Sequence, residues 1–257
     1  MTPGCAGRIL VLMAHPDDEF ALFPWIARAR ASGANVICAW LTDGAWGGQD
    51  PLRREAESRT VLRRMGVPDD AMLFAGRLLS VPDGTLQQHV GRVLDAMEGR
   101  FLDACRGGEV WCPAWEGGHQ DHDACHVVAL VLAARANAQA WQFPLYHGKG
   151  LQGPWFRVLS PLPTNGDSHP LSTGARERLA CIARCLSYRS QWKSFAGLLP
   201  FYALRMLGRN PFSLQPARPL RVRERPHEGA LLYERRSGVA YDTFRADMRE
   251  LLTSLGA

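Results

Sequence analysis

Short apolar runs alternate with amphipathic segments through the first half of the chain. Ile9 to Ala14 is a continuous apolar run of the kind a strand buried on both faces requires, and Phe20 to Ala31 follows with helical spacing. Val36 to Leu41 is a second such strand, closed by the turn-forming Thr42-Asp43-Gly44. A helix is predicted from Pro51 to Met65, with proline at its first position and Gly66 just past its end. The alternation continues through a short strand at Leu73 to Ala75, a helix over Thr85 to Ala104 and a strand at Glu109 to Pro113. A helix over Asp121 to Ala136 and a strand at Trp141 to Leu145 complete it. Strands separated by helices predict an α/β fold: a Rossmann-like, mostly parallel sheet flanked by helices.

After about residue 147 the pattern loosens. Proline, glycine and aromatic residues crowd Gly148 to Pro170, and helical patterning returns from Thr173 to Lys193. A Pro-punctuated basic stretch runs to Pro226, a strand-like Ala230 to Glu234 follows, and Tyr241 to Leu255 closes as a helix. With no internal repeat or low-complexity linker, the 257 residues read as one domain, 1–257. Its Rossmann-like core is 1–147, and 148–257 is an irregular C-terminal extension of substrate-facing and C-terminal elements.

Composition narrows the setting. No apolar stretch approaches the roughly 18 residues that a membrane span needs, and the N-terminus lacks a signal peptide's basic start and cleavage site. Seven cysteines at irregular spacing suggest no disulfide framework, so a reducing cytoplasm is expected. Cys181 and Cys185 lie four apart on a predicted helix without a second ligand pair at zinc-ribbon spacing, and read as buried thiols. Eight arginines and three glutamates between Arg205 and Arg236 equal the net charge of the whole chain, +5. This local excess suggests an anionic partner for the C-terminal segment, and no nucleic-acid motif accompanies it.

In open α/β sheets ligands bind beyond the carboxyl ends of the strands. There the first strand delivers His15-Pro16-Asp17-Asp18-Glu19, the second Thr42-Asp43-Gly44, and the fourth leads into Glu116-Gly117-Gly118-His119-Gln120-Asp121-His122. Catalytic zinc takes three His or carboxylate ligands and leaves a position for water. His15 and Asp18 can aim at one point from a strand-to-helix turn, and His122 can supply the third ligand. Asp17 then stays free as general base, and His119 can stabilise an oxyanion. Each fragment alone fits helix capping or surface histidines as well.

Together these fragments resemble the PIG-L or LmbE-like family of N-acetylglucosaminyl deacetylases. The resemblance rests on Ala14-His15-Pro16-Asp17-Asp18-Glu19 and Gly118-His119-Gln120-Asp121-His122. Leu41-Thr42-Asp43-Gly44, Arg53-Arg54-Glu55, Met65-Gly66-Val67 and Pro82-Asp83-Gly84 support it. It covers roughly residues 8 to 147, with only Ser190-Gln191 a possible match beyond. It implies one Zn2+ per chain on His15, Asp18 and His122, catalysis by Asp17 with His119 polarising the carbonyl, and Asp121 orienting a histidine. It further implies release of acetate from an N-acetylated amino sugar such as N-acetylglucosamine, with a free, glycan-linked or lipid-linked sugar left open. Gln120 stands where the family commonly has proline.

Several assignments stay open at this stage. Glu19 contacts substrate or begins a helix; Asp43 lines the pocket or builds its turn. One of Arg53 and Arg54 faces the substrate, and sequence alone does not say which. His126, one turn past His122, is an alternative ligand or an ordinary helix neighbour. Trp115, Trp155, Phe156 and Trp192 could stack on a sugar or fill the core. The apolar stretch 194–209 packs as a helix broken at Pro200 or lies on a membrane, so 195–236 is a candidate for anionic-substrate or peripheral membrane contact at the inner face. Two other functions compete: a zinc amidase for a thiol conjugate or acylated antibiotic, and a non-catalytic glycan- or nucleotide-binding module. No Gly-x-Gly-x-x-Gly follows the first strand to support a dinucleotide site.

Overall fold

The computed structural model describes residues 2–208 and 210–256. Strand β1 (Arg8–Met13) pairs in parallel with β2 (Asn35–Trp40) on one side and, further along the chain, with β4 (Glu109–Pro113) on the other. β3 (Met72–Phe74) extends the β2 side and β5 (Gln139–Phe143) the β4 side, both in parallel. β6 (Tyr146–His147) and β7 (Arg157–Val158) form a separate small ribbon. β8 (His169–Leu171) and β9 (Phe212–Pro216) complete a seven-stranded sheet in the order β3-β2-β1-β4-β5-β9-β8. β9 runs antiparallel to both its neighbours. The sheet is thus mostly parallel, as the alternation predicts, with an antiparallel edge. That edge comes from the irregular region, where three- to five-residue strands carry no readable period.

Helices α1 (Phe23–Ala31), α2 (Pro51–Arg63), α3 (Ala75–Leu78), α4 (Val90–Cys105) and α5 (Gln120–Arg135) connect the parallel strands. Two apolar cores lie on the sheet's two faces, one under α4 and α5 and one under α1. They follow from the pleat: on β1, Leu10 and Leu12 enter one core while Ile9, Val11 and Met13 enter the other. Fourteen of the 16 residues of α5 are buried, which explains why this helix is apolar nearly all round. The chain order reverses between β1 and β4, and this switch point opens a crevice beyond their carboxyl ends.

The second half departs from expectation in three places. The helix expected over Thr173 to Lys193 is α6 (Ala175–Cys185), which stops before a turn at Arg189–Gln191. There α7 (Trp192–Met206) begins and passes through Pro200 without a break. The expected strand Ala230 to Glu234 is instead the helix α8 (Leu232–Arg236), whose Glu234 Oε2 accepts from the backbone N–H of Leu231 at 2.7 Å. The terminal helix is split into α9 (Tyr241–Asp247) and α10 (Arg249–Ser254).

Several arginines of the basic stretch are engaged within the fold. Arg205 donates to Leu159 O at 3.1 Å, Arg221 to Arg225 O at 3.1 Å, and Arg235 to Leu151 O and Gly153 O, both at 2.9 Å. Arg225 pairs with Glu234. These guanidiniums tie down loops whose carbonyls have no strand or helix to satisfy them. Arg209 lies outside the described residues.

Candidate active site

The polar clusters meet at the switch point. Beyond β1 the chain turns sharply, and Asp17 takes φ 126°, ψ −19°, a conformation few side chains adopt. Neighbours hold it there. Its backbone N–H donates to Glu19 Oε2 at 3.0 Å, and Arg54 donates to Pro16 O at 2.6 Å. The turn Asp18–Ala21 then brings Asp18 back under the strand end, where its Oδ2 accepts from the N–H of Ala14 and of His15, both at 2.9 Å. From the other side, α5 starts at the end of the β4 loop with His119 as N-cap. Gly118 is required for this approach, because a Cβ there would lie 1.9 Å from Tyr146 O.

These turns bring His15, Asp18 and His122 together. His122 Nε2 lies 3.1 Å from Asp18 Oδ1 and 3.2 Å from His15 Nδ1, and the last two atoms are 3.8 Å apart. Ligands of a tetrahedral zinc, each about 2.0 to 2.1 Å from the ion, stand about 3.3 Å from one another. Two ring nitrogens and a carboxylate oxygen at such separations therefore fit a divalent cation. The far ring nitrogen of His15 lies 3.0 Å from Asp121 Oδ2, which also accepts from Gly84 N at 2.6 Å, while Oδ1 accepts from Leu86 N at 2.9 Å. A carboxylate so anchored fixes the histidine's ring orientation.

Asp17 and His119 flank this cluster in a cavity of about 360 Å³. Burial raises Asp17 to about 7, although Arg54 Nη2, 3.0 Å from its Oδ2, favours the charged form. Burial, with the charge of His15, lowers His119 to about 4, so its imidazole is neutral near pH 7. Its Nδ1 accepts from Asp121 N at 3.2 Å, which leaves the ring proton on Nε2 as a donor.

The remaining sequence candidates divide. Arg54 lines the cavity and is almost fully buried, whereas Arg53 is 59% exposed, pairs with Glu57 at 3.5 Å and lies outside it. Successive residues of an α-helix are rotated by about 100°, so Arg53 and Arg54 point in different directions and only Arg54 faces inward. Glu19 does not line the cavity either. Fully buried, it accepts from Asp17 N, from Trp40 Nε1 at 3.2 Å and from Tyr188 OH at 2.8 Å. Asp43 serves its turn, its Oδ1 accepting from Ala45 N at 2.9 Å and Asp83 N at 3.0 Å. Of the alternatives the sequence leaves open, the structure places Glu19 and Asp43 in hydrogen bonds that support the two turns, and Arg53 on the surface.

Other residues enter unannounced. Asp83 lines the cavity with Oδ1 3.3 Å from His15 Nε2 and Oδ2 3.6 Å from Arg54 Nη1. Its place in Pro82-Asp83-Gly84 was the available signal. Gln120 Nε2 donates to Gly84 O at 3.1 Å, and its Oε1 accepts from Ser237 at 3.3 Å, a bridge that proline could not make. The exposed Trp46 lines the mouth, whereas Trp115, Trp155, Phe156 and Trp192 do not. Trp115 is fully buried in the core. His126 is also buried, its Nδ1 2.8 Å from Pro113 O, away from the cluster. Cys181 and Cys185 are core thiols. The wall opposite the β1 loop comes from the second half: Gln191, Ser194, Phe195 and Leu198 at α7, and Tyr233, Arg236 and Ser237 at α8.

Residues 10–133 match the PIG-L family, described as GlcNAc-PI de-N-acetylase. Among solved structures, the chain resembles a deacetylase of the teicoplanin biosynthesis pathway at 19% identity and a TM-score of 0.62, covering 81% of this chain and 97% of that one. A zinc-inhibited form of teicoplanin deacetylase gives 17% identity, a TM-score of 0.61 and the same coverage. The N,N'-diacetylchitobiose deacetylase of Pyrococcus horikoshii gives 17% identity, a TM-score of 0.54, and coverage of 83% and 85%. No curated protein matches the sequence. The match over residues 10–133 spans both polar loops of the switch point, and over these residues the chain is similar to the PIG-L family of de-N-acetylases.

Proposed function

We propose that the protein hydrolyses the acetamide of an N-acetylated amino sugar, releasing acetate and the free amine, with zinc held by His15, Asp18 and His122. The observation that carries this reading is the convergence of His15 Nδ1, Asp18 Oδ1 and His122 Nε2 beside the cavity that Asp17 and His119 line. The names of the fold's relatives, deacetylases of teicoplanin and of N,N'-diacetylchitobiose, support an acetylated sugar as substrate. The zinc-inhibited relative supports a metal. Bound in this cluster, zinc supplies a Lewis acid that polarises the amide carbonyl and acidifies water.

The chain's own residues do the rest. Asp17 takes a proton from the water that attacks the carbonyl carbon, and its carboxyl later returns that proton to the amine nitrogen as the C–N bond breaks. A carboxylate near neutrality can do both, and burial places it there. His119, neutral and with Nε2 protonated, donates to the developing oxyanion. Arg54 orients Asp17, and Asp121 holds the ring of His15. The cavity takes walls from residues 1–147 and 148–257, which supports one working domain across 1–257. Seven free cysteines, six of them buried, fit a reducing cytoplasm.

Asp17→Asn tests the assignment: acetate release from an N-acetylhexosamine substrate should fall on the order of 10²- to 10⁴-fold while stoichiometric zinc is retained. Turnover at the wild-type rate would overturn the role of Asp17. The apolar side chains Phe20, Phe195 and Leu198 on the cavity wall favour a second reading, an amidase for an acylated antibiotic. Cleavage of larger N-acyl groups with no action on N-acetylhexosamines would select it.

A further inference from the structure

The paired helices α6 and α7 turn an apolar face outward. Inward, both are anchored in one core through Cys181, Cys185, Tyr202 and Met206. Outward, α6 and its C-cap present Leu179 and Leu186, seven residues and two turns apart, while α7 and its C-cap present Leu204 and Leu207. Trp192 stands at the start of α7, and these five side chains are between 64% and 79% exposed. No charged residue occurs between Lys193 and Arg205, although a helix packed on one side ordinarily carries charge on the other. Five large apolar side chains exposed on two helices that pack on each other mark an interaction surface.

Charge selects the occupant. Besides Arg178 and Arg205, which donate to Thr173 O and Leu159 O, the chain from α6 to α7 has Arg176, Arg184, Arg189 and Lys193 against a single acidic residue, Glu177, which pairs with Arg28 at 3.3 Å. A second copy related by a two-fold axis would set this basic rim against itself. An anionic lipid surface meets both features: the leucines enter the acyl boundary, tryptophan suits the headgroup level, and the cations face lipid phosphates.

We propose that the α6–α7 face docks the protein peripherally on an anionic membrane surface. None of the described helices is long and apolar enough to cross a membrane, so the contact is superficial. Ser194, Phe195 and Leu198 of α7 also line the cavity, and docking therefore holds the cavity close to the headgroups. The inference rests on exposure and charge and is independent of the proposed reaction.

Co-sedimentation of the full chain with vesicles tests it, comparing phosphatidylcholine alone with equal parts phosphatidylcholine and phosphatidylglycerol. Binding to the mixed vesicles should be on the order of tenfold stronger and weaken with salt. The double variant Leu204→Glu, Leu207→Glu should lose at least about tenfold in vesicle affinity. Its melting temperature should be unchanged, because both side chains are exposed. No binding to the mixed vesicles, or equal binding by the double variant, would overturn the proposal. So would a wild-type dimer that the double variant converts to monomer, since that result assigns the face to a second copy.

Discussion

Arg54 in the first half of the chain and Arg221 in the second are both nearly buried, with 3% and 9% of their side chains exposed, yet they serve different ends. Arg54 lines the cavity and, besides the loop carbonyls of Gly44 and Pro16, holds the cavity carboxylate of Asp17. Arg221 donates to Asn165 Oδ1 at 3.0 Å and to the carbonyls of Arg225 and Pro226, fastening irregular chain segments to one another. The difference follows from what surrounds them. Parallel strands satisfy their own backbone and end together at one edge, so the polar side chains of that edge are free to converge on a ligand. Chain without strand or helix leaves carbonyls that need donors, and arginines supply them. Arginine density therefore locates the site poorly, and position relative to the strand ends locates it well.

The largest effect that would break this contrast is in the cavity. Under the proposed function, Arg54→Ala should lower kcat on the order of a hundredfold with the bound metal retained, since Asp17 loses the group that orients it. Steady-state kinetics and metal analysis check this, and a fall in stability with unaltered kinetics would make Arg54 another loop fastener. Arg221→Ala should do the reverse, costing about 2 kcal/mol of stability in denaturant unfolding while kcat and KM of the folded protein stay near wild type.

A smaller effect concerns Glu116, whose Oε1 accepts from Leu145 N at 2.7 Å and Tyr146 N at 2.8 Å. Burial raises its carboxyl to about 8 from an ordinary value of 4.5. A folded pKa above the unfolded one makes its contribution complete below about pH 4.5 and progressively lost as pH rises towards 8. Glu116→Gln should remove that loss, gaining on wild type by at most about 1.4 kcal/mol per pH unit within this window. Unfolding curves at pH 5 and pH 8 measure it. The smallest effect is Arg53→Ala, expected within about 0.5 kcal/mol in stability and twofold in kcat/KM, as for an ordinary exposed residue. A large kinetic loss there would erase the distinction between the tandem arginines.

Pattern alone was enough where one feature dominated. The buried strands showed as apolar runs, and the loops after β1 and β4 stood out because polar residues follow such runs abruptly. Orientation within a loop was not legible. Glu19 follows two cavity-lining aspartates but turns inward to Trp40 and Tyr188, partners 21 and 169 residues away. Asp83 and Gln120 stand in motifs the sequence shows, but their contacts to His15 and to Gly84 are made across the fold. The split of α6 from α7 and the helix at α8 are not legible in the sequence, because short segments in irregular regions are decided by what they pack against.

The sequence by itself determined an α/β chain with two polar motifs at strand ends, because burial and hydrogen bonding impose local periods that amino-acid type reveals. Only the tertiary structure decided which carboxylates face the cavity, which of two adjacent arginines enters it, and that residues of α7 and α8 form its far wall. Those choices depend on contacts between positions far apart in the chain, and the ordering of residues along it does not specify such distances.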